Sequence, residues 1–194
     1  MSPPFVLASG SPRRGGLLKK AGYRFTVRPA YVEEISNRSL TLCEIALCNA
    51  TRKGLRVARA QPDAVVLAAD TLVALHGEVV GKPADLEEAM SILRQLSGRT
   101  HEVCSAVFIC DLERARSCAF HEISRVRFRS LSGHEIRDYI ASVDPLDKAG
   151  AYAAQSRGSA IIARIDGSFT NVVGLPMEKT TAALRRFGIE PKPT

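Results

Sequence analysis

Arg13 and Arg14 follow a hydroxyl-bearing turn, Ser9-Gly10-Ser11-Pro12, and stand between a short apolar run and the pair Leu17-Leu18. Phe5 to Ala8 reads as the end of a buried strand, and Pro12 suits the first turn of a helix, where its missing N–H costs nothing. A helix N-terminus at this point would offer backbone N–H groups and a partial positive charge, and the two guanidinium groups add forked donors. The stretch can therefore hold a phosphate. It is not a Walker loop, because the glycine spacing and the Lys-Ser/Thr ending are absent. Taken alone it fits equally well a plain strand-to-helix turn with a serine cap and two solvated arginines.

Further along the chain other charged and amide side chains stand at turns and strand ends. Glu33-Glu34 follows Val32, and because neighbours in an extended segment point opposite ways, one of the two at most faces a site formed by the first turn. Asp70 closes the apolar run Ala64 to Ala69, where a carboxylate needs a cation, a metal or several donors, and where strand ends of α/β sheets meet their ligands. Lys53 lies on the edge of a helical apolar face, four residues after Asn49, and reads there as a snorkelling lysine. Lys82 stands between Gly81 and Pro83, either a shaped turn presenting an ammonium group or a plain surface lysine. The stretch Asp147 to Gln155 mixes an acid, a base and an amide with small residues that allow close approach. Together these are the inventory of a metal-assisted phosphoryl site: cations for a polyphosphate, carboxylates for a divalent ion and a water. No Ser-His-Asp or Cys-His arrangement presents itself, so acid–base work falls to Asp or Glu.

These residues need a scaffold, and the pattern predicts an α/β one. A short helix is expected over Gly16–Ala21, a strand over Phe25–Val27, and a helix from Thr41 to about Ala60 that opens with a Thr41/Glu44 capping box. Ala64–Ala69 has the continuous apolar character of a central strand, and His76-Gly77-Glu78 reads as a hairpin turn. Asp85–Leu96 reads as a helix with Glu88 completing its box and Leu86, Met90, Leu93 and Leu96 as its apolar stripe. Glu102–Cys110 and Phe120–Arg129 read as strands. The second shows Arg125, Arg127 and Arg129 on one face, a basic stripe better explained as charge turned to water and guarding an edge than as a nucleic-acid surface. A third capping box, Ser132/Glu135, starts a short helix. Strands over Ala160–Ile165 and Phe169–Val173, joined by a turn at Asp166-Gly167-Ser168, lead to a last helix opened by Gly174-Leu175-Pro176.

The 194 residues are read as one domain with a sizeable core, and 45% hydrophobic and 24% charged residues argue against disorder. A formal charge of +7 and a pI near 9.4 favour an anionic partner, while the absence of Trp weakens a single-strand-binding role. The five cysteines form no C-x-x-C pair or Cys/His ligand spacing, and reduced, mostly buried thiols are expected. The start lacks a basic leader region and the longest apolar run is too short to span a bilayer, so a cytoplasmic protein without a membrane partner is expected.

The blocks Leu7-Ala8-Ser9-Gly10-Ser11-Pro12-Arg13-Arg14, Ala69-Asp70-Thr71-Leu72-Val73, Gly81-Lys82-Pro83, Leu96-Ser97-Gly98, Asp147-Lys148-Ala149-Gly150-Ala151-Tyr152 and Gly167-Ser168-Phe169-Thr170-Asn171-Val172-Val173-Gly174-Leu175-Pro176 resemble, in order, the Maf family of nucleoside triphosphate pyrophosphatases. The resemblance runs from about Phe5 to Gly188. It implies an elongated mixed β-sheet flanked by helices, two lobes with a central cleft, and a usually dimeric enzyme that releases pyrophosphate with a divalent cation, Mg²⁺ or Mn²⁺. By matching motif, Ser9, Arg13 and Arg14 would contact phosphate, Lys53 and Lys82 would add charge, Gln155 would lie near the substrate, and Glu34 and Asp70 would hold the metal or activate water for attack on the α-phosphorus. The acidic pair can be aligned with either Glu33 or Glu34 in that role. The Ser-Pro-Arg-Arg ending and the Asp-Lys-Ala-Gly-Ala-Tyr block are similar to the branch acting on dTTP and UTP, with a 7-methyl-GTP or modified-nucleotide pyrophosphatase as the alternative within the family. A non-enzymatic basic protein that binds nucleic acid or regulates is the alternative outside it. Ala154 and Ser156-Arg157 around Gln155 depart from the family pattern, as does Cys48-Asn49, a change expected to matter only for packing.

Overall fold

The computed structural model describes residues 3–37, 39–155 and 157–192. The chain enters through β1 (Phe5–Leu7), buried along its length, and turns at Ser11 into α1 (Pro12–Lys20). The helix thus begins four residues before the expected Gly16 and takes both arginines into its first turn. β2 (Thr26–Val27) returns parallel to β1, with Val6 opposite Thr26. A stretch without helix or strand, residues 28–37, then leads to α2 (Leu42–Ala58), capped by Thr41 and Glu44 as the capping box requires. Its inward face repeats at helical spacing through Ile45, Ala46, Asn49, Ala50, Gly54, Val57 and Ala58. Gly54 is needed there, because a Cβ at that position would stand 2.5 Å from the Phe108 ring.

β3 (Val65–Leu75) lies parallel to β1, pairing Phe5 with Val65 and Leu7 with Leu67. It is longer than expected: Asp70 sits in mid-strand, not at a strand end, because its carboxylate is satisfied by side chains and the ladder need not break. Two left-handed residues, His76 (φ 52°) and Gly77 (φ 83°), turn β3 into β4 (Glu78–Val80), the geometry that two-residue hairpins favour. α3 (Leu86–Leu96) follows, with Asp85 as its cap. Glu88 reaches the Ala84 N–H, one residue before the cap, and the buried stripe is Ala89, Ile92, Leu93 and Leu96, leaving Leu86 exposed and Met90 half-buried.

β5 (Thr100–Asp111) and β6 (Arg116–Phe128) complete the strand order β2-β1-β3-β5-β6. Ser124, Val126 and Phe128 face inward and Arg125 and Arg127 outward, as the alternation predicts. β6 is not an edge, however, because β7 (Ile162–Asp166) pairs with it antiparallel. Arg125 meets Glu102 at 3.5 Å and Arg129 donates to the Ala160 carbonyl, so the basic stripe is partly neutralised. α4 (Gly133–Ser142), with its Ser132/Glu135 box, precedes a short 3-10 turn at Ala149–Ala151.

The last third corrects two expected strands. Ala160 and Ile161 belong to α5 (Gly158–Ile161), and Phe169–Val173 is α6 rather than a returning strand. Ser168 Oγ accepts the Asn171 N–H, while the Asn171 amide donates to the Val103 carbonyl at 3.0 Å and to Ser124 Oγ at 2.9 Å. These bonds override the strand propensity of Phe, Thr and Val. α7 (Met177–Arg186) ends the chain's regular structure.

The chain divides into two compact units: Met1–Asp70, Ser105–Glu122 and Gly174–Thr194 form one, and Thr71–Cys104 with Ile123–Val173 the other. The first buries Phe5, Leu7, Leu18, Leu67, Ile109 and Leu184, with Phe5 edge-on to Tyr23 and Phe25. The second is centred on Leu93, Leu96, Phe128, Ile136, Tyr152 and Ile161. Cys104 and Cys110 are buried, whereas Cys43, Cys48 and Cys118 are only half-buried, fewer buried thiols than expected. Among the described residues no helix is long and apolar enough to cross a membrane.

Candidate active site

Six of the eight predicted site residues, Ser9, Arg13, Arg14, Glu34, Lys53 and Asp70, belong to the first unit. The turn after β1 buries Ser9, whose Oγ accepts from the Ser11 N–H at 3.3 Å and from Arg14 Nη1 at 2.9 Å. Arg14 Nε donates to the Gly174 carbonyl at 2.9 Å. Ser9 thus holds an arginine, and Arg14 is fastened through two of its guanidinium nitrogens. Burial pushes the Arg14 pKa down and the neighbouring Arg13 adds to this, while Asp70 and Glu34 oppose it. A guanidinium remains charged through such a shift, so Arg14 is a fixed cation within electrostatic reach of both carboxylates.

Those carboxylates meet on one ammonium. Lys53 Nζ donates to Asp70 Oδ1 at 2.7 Å and to Glu34 Oε1 at 2.5 Å. The side chains of Lys53 and Asp70 are 13% and 6% exposed and that of Glu34 46%, so the trio runs from the protein interior to its surface. Lys53 does not snorkel. Its position on the inner face of α2, one turn after Asn49, points the ammonium at β3, and of the acidic pair it is Glu34 that the chain sets against it.

Asn49, expected to matter only for packing, is instead bonded to Asp70 and to the segment that carries Glu34. It is 1% exposed; its Nδ2 donates to Asp70 Oδ2 at 3.2 Å and its Oδ1 accepts the Ile35 N–H at 2.7 Å. The signal was present as an amide on the buried face of a helix, four residues before Lys53, where an unpartnered amide would be costly.

Lys82 and Gln155 belong to the second unit. The turn that carries Lys82 is tied to the Asp147–Tyr152 stretch, since the Gly150 N–H donates to the Gly81 carbonyl at 3.0 Å. Gly150 (φ 73°) and Ala151 (φ 60°) are both left-handed, a costly conformation for alanine that the surrounding core enforces. Tyr152 anchors the stretch through its hydroxyl, 2.8 Å from His101 Nε2. Half-buried Gln155 follows, its carbonyl accepting from Gly158 N–H at 3.2 Å; Ser156 lies outside the described residues.

Could the first-unit cluster accept a divalent cation? Glu34 and Asp70 present oxygen donors within reach of a single ammonium, and their two negative charges exceed its one positive charge. Hard oxygen donors of this kind suit Mg²⁺, which is commonly held by one or two carboxylates with water and phosphate oxygens completing the shell. Among the described residues no group of three His, Cys, Asp or Glu side chains converges for a metal. The donor set therefore fits an ion shared with a phosphorylated ligand better than a self-sufficient protein cage.

A family model described as "Maf-like protein" matches residues 4–187. A dTTP/UTP pyrophosphatase of Pelotomaculum thermopropionicum is 47% identical over 183 residues, covering 94% of this chain and 96% of the relative. Similar proteins of the same description are 45% identical in Akkermansia muciniphila, covering 97% of this chain and 98% of the relative, and 43% identical in Bacillus velezensis, covering 98% and 100%. The order of motifs, the α/β fold and these full-length matches agree: the chain belongs to the Maf family.

Proposed function

We propose that this chain hydrolyses dTTP and UTP to the nucleoside monophosphate and pyrophosphate. The observation that carries the reading is the pair of carboxylates, Glu34 and Asp70, gathered on Lys53 with Arg14 fastened within electrostatic reach. The names of the full-length relatives support the same substrates. In the reaction a water oxygen bonds to the α-phosphorus, the bond to the α–β bridging oxygen breaks, and that oxygen leaves with pyrophosphate.

The residues divide the work by charge. Arg13 and Arg14 bind the triphosphate and offset the negative charge that grows on the departing oxygens, a role in which each donor is worth about 3 kcal/mol. Ser9 orients Arg14. Lys53 keeps the two carboxylates together, and Asp70 and Glu34 orient the attacking water and accept its proton. Lys82 adds positive charge and Gln155 contacts the nucleotide. Glu34 and Asp70 would also hold a divalent cation, Mg²⁺ or Mn²⁺, which when bound lowers the pKa of water and neutralises phosphate charge. The enzyme acts as a cytoplasmic homodimer.

One assay tests the substrate assignment. The protein is incubated with Mg²⁺ and, separately, dTTP, UTP, CTP, GTP, ATP and 7-methyl-GTP, and pyrophosphate is resolved from orthophosphate. Pyrophosphate from dTTP and UTP in preference to the others is expected. Orthophosphate as the product, hydrolysis of 7-methyl-GTP alone, or salt-sensitive oligonucleotide binding without hydrolysis would overturn it. Light scattering on the eluted protein tests the dimer.

A further inference from the structure

We infer that Asn49 is a positioning residue that sets Glu34 against Asp70; the inference rests on the proposed hydrolysis. Residues 28–37, which carry Glu34, form no helix or strand, and the bond from the Arg28 N–H to the Leu7 carbonyl at 3.0 Å ties down the start of the segment, well before Glu34. Next to Glu34 the Asn49 amide takes the place of a backbone ladder. Its Oδ1 accepts the Ile35 N–H at 2.7 Å and its Nδ2 lies 3.5 Å from the Ile35 carbonyl, so a single side chain meets both polar groups of the residue bonded to Glu34. The same Nδ2 donates to Asp70 Oδ2 at 3.2 Å.

Asn49 and Lys53 therefore do different things from consecutive turns of α2. Lys53 supplies charge to both carboxylates. Asn49, 1% exposed, supplies direction: it fixes the backbone next to one carboxylate and one oxygen of the other. A primary amide can do this because it is donor and acceptor at once, which neither a hydrocarbon nor a lysine is. Leucine has nearly the same shape and neither capability, so it would pack in the site and release the segment.

The test compares Asn49→Leu and Asn49→Ala with the wild type. Because partners behind metal-holding carboxylates typically contribute 10- to 100-fold, kcat for dTTP in the leucine variant should fall about 10- to 100-fold with KM changed less than about threefold. Nothing that holds the phosphates has been touched. The alanine variant, which leaves room for water, should fall less. Independently of activity, hydrogen exchange at the Ile35 amide should accelerate in Asn49→Leu while the amides of β1 and β3 stay protected. A folded leucine variant with kcat within twofold of wild type, or an Ile35 amide as protected as before, overturns the inference. If Asn49→Leu does not fold, Asn49→Ala decides by the same two readings. Wild-type protein that releases no pyrophosphate would instead refute the proposed function, and the exchange measurement would still report on the Asn49 contact.

Discussion

Each unit of the molecule holds a polar cluster, and the two are kept in opposite electrical states. In the first, Glu34, Lys53 and Asp70 are ion-paired and Asn49 fills in the remaining bond to Asp70. In the second, His101, Tyr152 and Phe128 stack edge to face with centroids 4.9 to 5.3 Å apart, and the His101 ring meets the Tyr152 hydroxyl at 2.8 Å. Burial pushes the His101 pKa from 6.5 down to about 4 and raises that of Tyr152, so both are neutral at pH 7. Buried charge needs an opposite charge beside it, and where none is supplied the group takes its neutral form, the histidine by giving up a proton and the tyrosine by keeping one. The first unit thus keeps a charged cluster, and the second uses a titratable residue as part of a core.

The sharpest way to break this contrast is Asp70→Asn. It keeps the shape and one acceptor oxygen for the two donors Lys53 and Asn49 but removes the charge, and turnover of dTTP should fall by about 1,000-fold, the upper range for losing one electrostatic element of an active site. Circular dichroism should stay close to wild type, and the melting temperature should fall less than in Lys53→Met, because Lys53 keeps its ion pair with Glu34. A folded Asp70→Asn protein with near-normal pyrophosphate release would remove Asp70 from the mechanism.

Lys53→Met removes the cation instead and leaves Asp70 buried without its ion pair. Breaking one side of a buried pair costs roughly 3–5 kcal/mol, read as a lower urea midpoint, with activity lost as well. Equal stability of the variant and the wild type would mean that the pair contributes nothing.

In the second unit the prediction concerns pH. His101 has a folded pKa below its unfolded value, so the unfolded chain binds the extra proton first and stability falls as pH drops. The full contribution is present above pH 6.5 and is lost progressively down to about 4, amounting to roughly 3 kcal/mol. His101→Gln, which can still bond Tyr152, should flatten the stability profile across that window. A slope as steep as in the wild type would assign the acid sensitivity elsewhere.

The smallest effect is expected at the cap of α2, the helix that carries Asn49 and Lys53. Thr41→Ala should cost about 1 kcal/mol in urea unfolding, with kcat per folded molecule unchanged, because the cap stabilises the helix without touching the site.

Much of this was legible in the residue order. The strand-turn-helix at Ser9 to Arg14, the Thr41/Glu44 and Ser132/Glu135 boxes, the apolar run into Asp70 and the His76-Gly77 turn are local signals, because each depends on neighbours within about one helical turn or one strand repeat. What lay beyond reach was decided by partners distant in sequence. Asp70 stays inside a continuous strand because Lys53 and Asn49 reach it across 17 and 21 positions. Phe169–Val173 is a helix because Asn171 bonds to Val103 and Ser124, 68 and 47 residues away. Glu34 rather than Glu33 meets Lys53, a choice the alternation of an extended segment leaves open and only the tertiary contact makes. The sequence by itself determined which chemistry is present and which family the chain resembles. Which groups share a proton, a charge or a hydrogen bond was decided by the fold, since those interactions act over a few ångströms of space and take no account of separation along the chain.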